Sequence, residues 1–471
     1  MIKIGKHAAE LAHRIETRWL IPARAYRDVQ QGVAHLLTRV QYSRRTWVRT
    51  IYLNNDSHDV PWDLNIKLRR YFDDPVRGAF KLPAGDWVLE TKVTTRGDFI
   101  QKRKSRHRHN LNAILRRFRR LDALCDLGES HAACPLNLPL RPYLGIEYHR
   151  EHFIHHTREG YMRVTLDRDT RFWHQLDEGA WIPLGTESGI RFEIKCDPHM
   201  TASRLFERLI ALLIKMRAVP IISKRYAALN RLTLWQRSLV PMPFYETPRI
   251  EYAAIFDVPP ALAPTISAEL FHLFRHPCQG FILDRTRNWM SEWSMVCIYL
   301  EKNKRVNLYG DFSRETREQR YLRLSPYQNI VTRKELKGTE HIIVPTAIIA
   351  DMEDTAPRGV LMRYKRQFWV RSRSDRVYKV SVNRFFNCAT QQYLTGLHLK
   401  YAGSATDCAP VEPRVIAGEL RALVSIVRTV FPALRPTHQS LRKFACEIAV
   451  STVYPALTVL KAWTKGQHAR S

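Results

Sequence analysis

No two of the eight cysteines form a CxxC pair; they stand at Cys125, Cys134, Cys196, Cys278, Cys297, Cys388, Cys408 and Cys446. That spacing excludes a zinc site of the usual kind. Eight cysteines in 471 residues are also too few for a disulfide scaffold, so a reducing, cytoplasmic setting fits. No glycine pattern of a P-loop or a dinucleotide fold occurs. The opening MIKIGKHAAELAHRIE contains no apolar run and does not read as a secretory signal. The most apolar late stretch, Ile448 to Trp463, is short for a membrane span and reads as a buried helix. Acid is scarce as well. Asp plus Glu number 45 against 75 Lys plus Arg, a net charge of +30. Such a balance draws polyanions: nucleic acid, phosphorylated metabolites, polyphosphate or an anionic membrane surface. Peripheral attachment to a membrane is compatible with it.

What is present is a globular composition, 45% hydrophobic and 25% charged, long enough for two or three domains. Short segments alternate charged and apolar residues. Successive strand side chains face opposite ways, so in Arg14–Ile21 the residues Arg14, Glu16 and Arg18 share one face and Ile15, Trp19 and Ile21 the other. The alternation returns with Lys67 and Arg69, with Glu90 and Lys92, and with Tyr148 and Arg150. It returns again with Arg163, Thr165 and Asp167, and with Arg191, Glu193 and Lys195. A half-buried strand ordinarily turns such residues to water. Here the polar face is nearly all Arg, Lys and Glu, which points to a shared charged interior. Helices are expected at 22–38, at 201–218 with Thr201 or Ser203 as N-cap, and at 106–127, a very basic stretch suited to nucleic-acid phosphates or a solvated face. Strands with segregated helices give an α+β fold.

A second series follows. Arg249 to Pro259 echoes Arg14 to Pro22, and Tyr321–Leu324 echoes the Lys67 to Arg69 strand. Thr332–Lys337 echoes the Glu90 to Lys92 region. The pair 359–370 and 376–386 echoes 145–155 and 161–173, while Leu397–Lys400 echoes Phe192–Lys195, and a helix at 412–431 follows. The organisation is therefore two tandem domains, 1–235 and 245–455, joined by a Pro-rich linker at 238–247, with a basic tail at 456–471.

The first half resembles the VTC (vacuolar transporter chaperone) domain of polyphosphate polymerases, in the CYTH or triphosphate tunnel metalloenzyme superfamily. The likeness lies in RIETRWLIPA, RTIYLNND, NIKLRRY, WVLETK, KRKSR, the pair IEYHREHF and MRVTLDRDTRFW, and FEIK with SKRYAAL, in that order over about residues 10–230. It implies an antiparallel eight-stranded β-barrel tunnel with flanking helices, a divalent Mg²⁺ or Mn²⁺, and a substrate of consecutive phosphates. It places Arg18, Lys67, Arg69, Lys92, Lys102, Arg150 and Arg163 on phosphate oxygens, and Glu193, with Glu16 and Glu90 nearby, on the metal. Lys195 lines the tunnel and Lys224 caps it; these are its catalytic candidates. Arg18 stands where the family has Lys, and Lys67 where it has Arg, which keeps the charge but changes the geometry. In the second half Glu251 is kept, Ala253 replaces the basic partner and His398 replaces the metal-binding Glu, so that copy reads as inactive.

The resemblance implies a polyphosphate polymerase acting on ATP. A membrane protein as partner would supply the membrane segments this chain does not show. The alternatives are a triphosphatase acting on inorganic, nucleoside or RNA 5′ triphosphate, and a non-catalytic binder of polyphosphate or nucleic acid.

Overall fold

The computed structural model describes residues 15–110, 140–239, 250–308, 316–318, 331–335, 357–404 and 413–446, apart from short interior gaps at 42–44, 55–59, 61–63, 84, 96–100, 159, 177–178, 288–289, 301–304, 388, 391 and 438–440. It is an α+β protein with two antiparallel sheets. The described residues divide after Ala228 into two compact units, each holding one sheet.

Eight strands carry the first sheet: β1 (Ile15–Ile21), β2 (Trp47–Asn54), β3 (Leu64–Phe72), β4 (Asp86–Thr95), β5 (Gln101–Asn110), β6 (Arg141–Thr157), β7 (Gly160–Gln175) and β8 (Ile190–Cys196). They run in the order β1-β8-β7-β6-β2-β3-β4-β5, with short strands at Thr38–Val40, Trp181–Glu187 and Val219–Pro220 added at the sides. The alternation read from sequence is the alternation of faces. Thr17, Trp19 and Ile21 of β1 are buried, as are Phe192 and Ile194 of β8 and Val164 of β7, while the charged residues between them stand on the opposite face.

The second sheet repeats the first. Its strands are β9 (Ile250–Asp257), β10 (Ser291–Leu300), β11 (Arg305–Leu308), β12 (Thr316–Glu318), β13 (Val331–Glu335), β14 (Pro357–Ser372), β15 (Arg376–Asn387) and β16 (Tyr393–Ser404). Their order is β13-β9-β16-β15-β14-β10-β11-β12. Adding eight to each label of the first sheet reproduces this circular order. The first sheet pairs β4 with β5, and the second pairs β9 with β13, the counterpart of β1 beside β5. Both are therefore one antiparallel ring of eight, written with a different step left out, and the tandem arrangement of two barrels follows from it.

Register fixes which residues correspond. Trp19 stands opposite Pro220, and Phe256 opposite Pro436. The Ile221 N–H donates to the Arg18 carbonyl at 3.0 Å, and the Thr437 N–H to the Ile255 carbonyl at 3.1 Å. Ala253 thus occupies the place of Glu16, and Ile255 that of Arg18. The sequence echo, which matched Glu251 to Glu16 and Ala253 to Arg18, is two residues out of register. It is also one strand out further along. The Val331–Glu335 strand takes the place of β5 rather than of the Glu90 to Lys92 strand, and Arg305–Leu308 takes the place of Lys67 to Arg69. Tyr321–Leu324 lies outside the described residues. Identity between the copies is too low for local similarity to fix the register, which ladder pairing does.

Helices flank both sheets: α1 (Tyr26–Ala34), α2 (Arg204–Lys215), α3 (Lys224–Leu239), α4 (Ile266–Leu273), α5 (Pro413–Val430) and α6 (Leu441–Cys446). The expected helix 22–38 is shorter, because Thr38–Val40 pairs with β6 instead. The expected helix from 106 is strand as far as Asn110, with Arg106 opposite Glu90 in the ladder; pairing with β4 overrides helix propensity there. The remainder of that stretch, and the apolar run 448–463, lie outside the described residues. In α2 the residues Phe206, Leu209, Ile210 and Leu213 are buried at helical spacing. Of the two candidate N-caps Ser203 is the one used: its side chain accepts the Phe206 N–H at 3.2 Å. Ser203→Ala is expected to cost about 1 kcal/mol, read as a melting shift of roughly 2–4 °C for a unit of this size. Among the described residues no helix is long and apolar enough to cross a membrane.

Candidate active site

The charged face of the first sheet is organised in rows that cross β6, β7, β8 and β1. One row is His152, Thr165, Glu193 and Arg18; the next is Ile154, Arg163, Lys195 and Glu16; a third is Arg150, Asp167, Arg191 and Leu20. Antiparallel pairing sets these side chains side by side although partners such as Arg18 and Glu193 lie 175 residues apart.

Two rows meet in a ring of alternating charge. Arg18 Nε donates to Glu193 Oε1 at 2.9 Å, and its Nη2 donates to Glu16. Lys195 Nζ lies 2.7 Å from Glu193 Oε2 and 3.8 Å from Glu16 Oε1. Burial works to raise the Glu193 carboxyl, but Lys195 and Arg18 overcome it and hold the group well below the usual carboxylate range. Glu193 is therefore ionised throughout the neutral range. Two adjacent carboxylates, Glu193 and Glu16, suit a small divalent cation, which takes one or two of them and completes its shell with phosphate oxygens and water. Glu90 is buried beside Lys67 at 3.1 Å and Arg69 at 3.4 Å.

A second cluster surrounds Asp167, which is fully buried. Arg150 grips it with a two-pronged bond, Nε to Oδ1 and Nη2 to Oδ2, both 2.6 Å. Lys224, the first residue of α3, forms an ion pair with the same carboxylate. Burial opposes ionisation of Asp167, yet Arg150 and Lys224 depress its pKa far below normal. Arg150 and Lys224 also lie over the ring of Tyr148, at 4.8 and 4.4 Å. Burial pushes the Tyr148 phenol up, and Arg150, Arg69 and Lys224 more than reverse that. His152 is driven down to about 3 by burial and by Arg150 and Arg163, so its ring is neutral at any working pH.

Arg163 differs from its neighbours. Its buried Nε has no hydrogen-bond partner, and among the described residues it makes no ion pair. An unmatched guanidinium on a face crowded with cations is a place for an anionic ligand. The register puts Lys92 opposite Lys104 and Lys102 opposite Thr94, in strands that continue the sheet. The structure thus draws Glu16, Arg18, Glu193 and Lys195 into one group, Arg150 and Lys224 into a second, and Lys67, Arg69 and Glu90 into a third. Sequence reading placed Asp167 on the charged face but did not see its part as the anchor of Arg150 and Lys224. Its spacing from Arg163 and Thr165 was the available signal. Arg191, in the same alternation, is tied to Glu187 and to the Ile222 carbonyl and serves the framework.

The family model of the VTC domain matches residues 13–229. Residues 13–229 are a VTC domain. This places the first sheet among triphosphate-handling phosphoryl-transfer proteins. No curated protein matches the chain. Among solved structures, a candidate adenylate cyclase from Vibrio parahaemolyticus is 13% identical, covering 44% of this chain and 91% of its own, with a TM-score of 0.25. A chain of the Schizosaccharomyces pombe Mediator head module is 10% identical, covering 43% and 92%, with a TM-score of 0.24. Likenesses that loose carry nothing about activity, so the reading of the VTC domain rests on its own side chains.

Proposed function

We propose that the VTC domain is a metal-dependent polyphosphate polymerase, moving the terminal phosphoryl group of ATP onto a growing phosphate chain. The observation that supports it best is the one-sided face of Arg18, Lys67, Arg69, Arg150, Arg163, Lys195 and Lys224, in which Arg163 has no anion of its own among the described residues. Arg forks match pairs of phosphate oxygens, and Lys supplies compact charge. Lys92 and Lys102 extend the same assignment along β4 and β5.

Phosphoryl transfer asks the protein for positioning and charge neutralisation more than for covalent help. Asp167 holds the Arg150 guanidinium and the Lys224 ammonium in place before substrate arrives, so little ordering is left to do on binding. Tyr148 supports both from below. Lys195 and Arg18 keep Glu193 charged, and Glu16 and Glu193 would hold Mg²⁺ or Mn²⁺, which supplies Lewis-acid neutralisation of phosphate oxygens. Neutral His152 adds no competing charge to the row.

The test is purified protein with ATP and Mn²⁺, following polymer by gel and orthophosphate by colorimetry beside Glu193→Ala. Polymer that disappears in the variant is the expected result. Orthophosphate without polymer would make the site a triphosphatase, and neither product would leave a phosphate-binding module. A membrane protein partner belongs to the same proposal: if the isolated chain is slow, it predicts stimulation by membranes. Arg163→Ala is expected to raise the KM for ATP about tenfold, the 1.4 kcal/mol typical of one charge-assisted hydrogen bond, with a smaller change in kcat; initial rates over an ATP series measure both.

A further inference from the structure

The second sheet holds cations on the face that corresponds to the VTC site, and it has exchanged the acids of that site for neutral groups. The rows transfer residue by residue. Arg150, Asp167 and Arg191 become Lys365, Asn383 and Gly396; His152, Thr165, Glu193 and Arg18 become Gln367, Ser381, His398 and Ile255; Ile154, Arg163, Lys195 and Glu16 become Trp369, Lys379, Lys400 and Ala253. All three carboxylates in those rows are gone. Three cationic positions, those of Arg150, Arg163 and Lys195, remain as Lys365, Lys379 and Lys400, each half-buried. Arg363, in line with Lys365, donates to the amide oxygen of Asn383 at 3.0 and 2.6 Å. The acid of this face that the rows do reach, Asp257, stands at the strand end opposite Gly396.

One end of this face is sealed. Phe444 and Ala445 of α6 pack with Met295, Cys297, Tyr299, Leu361 and Phe385. Gly359 lets the helix come so close that a Cβ there would meet the Ala445 carbonyl at 2.1 Å. Leu441 of α6 packs against the same apolar cluster. Next to the sealed end lies a row of uncharged polar groups. The hydroxyl of Ser381 is buried at 1% exposure and has no hydrogen-bond partner among the described residues, and the side-chain oxygen of Gln367 is in the same state. A buried hydroxyl without a partner is destabilising unless something supplies one. It can donate to an oxyanion.

We infer that the second sheet is a metal-independent binding site for a run of consecutive phosphates, free or carried on a nucleotide, held by Lys365, Lys379 and Lys400 with Ser381 donating between them. Its rows lack the counterparts of Glu16, Asp167 and Glu193, and cations plus neutral donors suffice to hold a phosphate chain. The inference stands whether or not the first sheet polymerises.

The experiment is calorimetric titration of the full chain with sodium tripolyphosphate in excess EDTA, for wild type, Ser381→Asn and Ser381→Asp. Binding should persist without metal. A component of it should weaken at least about tenfold in Ser381→Asp, because a carboxylate among three lysines both neutralises them and repels phosphate, while the neutral Ser381→Asn retains it. Absence of EDTA-resistant binding, or a Ser381→Asp isotherm that superimposes on wild type, would overturn the proposal. If Ser381→Asp does not melt cooperatively, Lys379→Met decides: loss of the component supports the site and an unchanged isotherm removes it. Repeating the titration with ATP separates the two sources of the ligand. Whichever of ATP and tripolyphosphate depends on residue 381 is the ligand, and dependence of neither removes the site.

Discussion

Asp167→Ala protein will melt about 10 °C below wild type. The carboxylate is fully buried and is the counter-ion of both Arg150 and Lys224. Removing one partner of a buried ionic cluster typically costs about 3–5 kcal/mol, because the remaining charges stay desolvated, and each kcal/mol moves the melting point of a unit this size by roughly 2–4 °C. Asp167→Asn should lose less, since an amide oxygen still accepts from a guanidinium, as Asn383 does from Arg363. Tripolyphosphate should narrow the gap, because the freed Arg150 and Lys224 then find an anion; saturation at about 100 times Kd is worth ~2.7 kcal/mol. The pH dependence has a definite sign. The folded-state pKa of Asp167 lies below its unfolded value, so its contribution is complete above the ordinary carboxylate range and is lost as pH falls through that range and below it. The variant will lack this part of the acid destabilisation, which thermal melts across pH 3 to 7 (about four units, spanning the ordinary Asp pKa of about 3.9) will reveal. A melting point within 2 °C of wild type (roughly the effect of 1 kcal/mol) would mean the cluster is solvated and the packing described around Tyr148 does not hold.

Glu193→Gln will lower polymer formation by about a hundredfold or more, near 3 kcal/mol of lost charge stabilisation, while keeping the side chain's volume but only one of the two acceptor oxygens that serve Arg18 and Lys195. Mn²⁺ titration followed by electron paramagnetic resonance gives a second reading that does not depend on turnover, and the bound fraction should fall with it. Glu90→Gln is the comparison. Glu90 neutralises Lys67 and Arg69, so its loss should alter ATP binding more than metal binding. Because Lys195 and Arg18 hold Glu193 well below the usual range, the wild-type rate should show no acid limb at the ordinary glutamate pKa, about 4.3, arising from this group. A Glu193→Gln enzyme of undiminished rate would sink the metal assignment.

Strand faces were legible because their period of two needs only local sequence. Glu16, Arg18, Glu193 and Lys195 could be named from parity alone and do share one face. Neighbourhood was not legible, because which rows align depends on register, and register is set across strands that are distant in sequence. Parity grouped Glu90 with Lys92, and the ladder adds Lys67 and Arg69 as its partners. The same limit displaced the second copy by two residues at Glu251 and by one strand beyond it. The basic stretch at Arg106 misled for another reason: with cations at most positions, neither period dominates, and only the partner strand decides.

The register of the two rings also bears on how one could be turned into the other. Acids and the cations that match them differ between the copies as sets. Glu16 and Arg18 stand against Ala253 and Ile255, and Asp167 against Asn383. Ile255→Arg alone adds a cation to a row that holds no acid, and Asp167→Asn alone leaves Arg150 and Lys224 without their counter-ion, so such stepwise routes pass through weakened intermediates. Rebuilding the catalytic ring in the second copy therefore calls for Ala253→Glu, Ile255→Arg and His398→Glu, made at once rather than in succession.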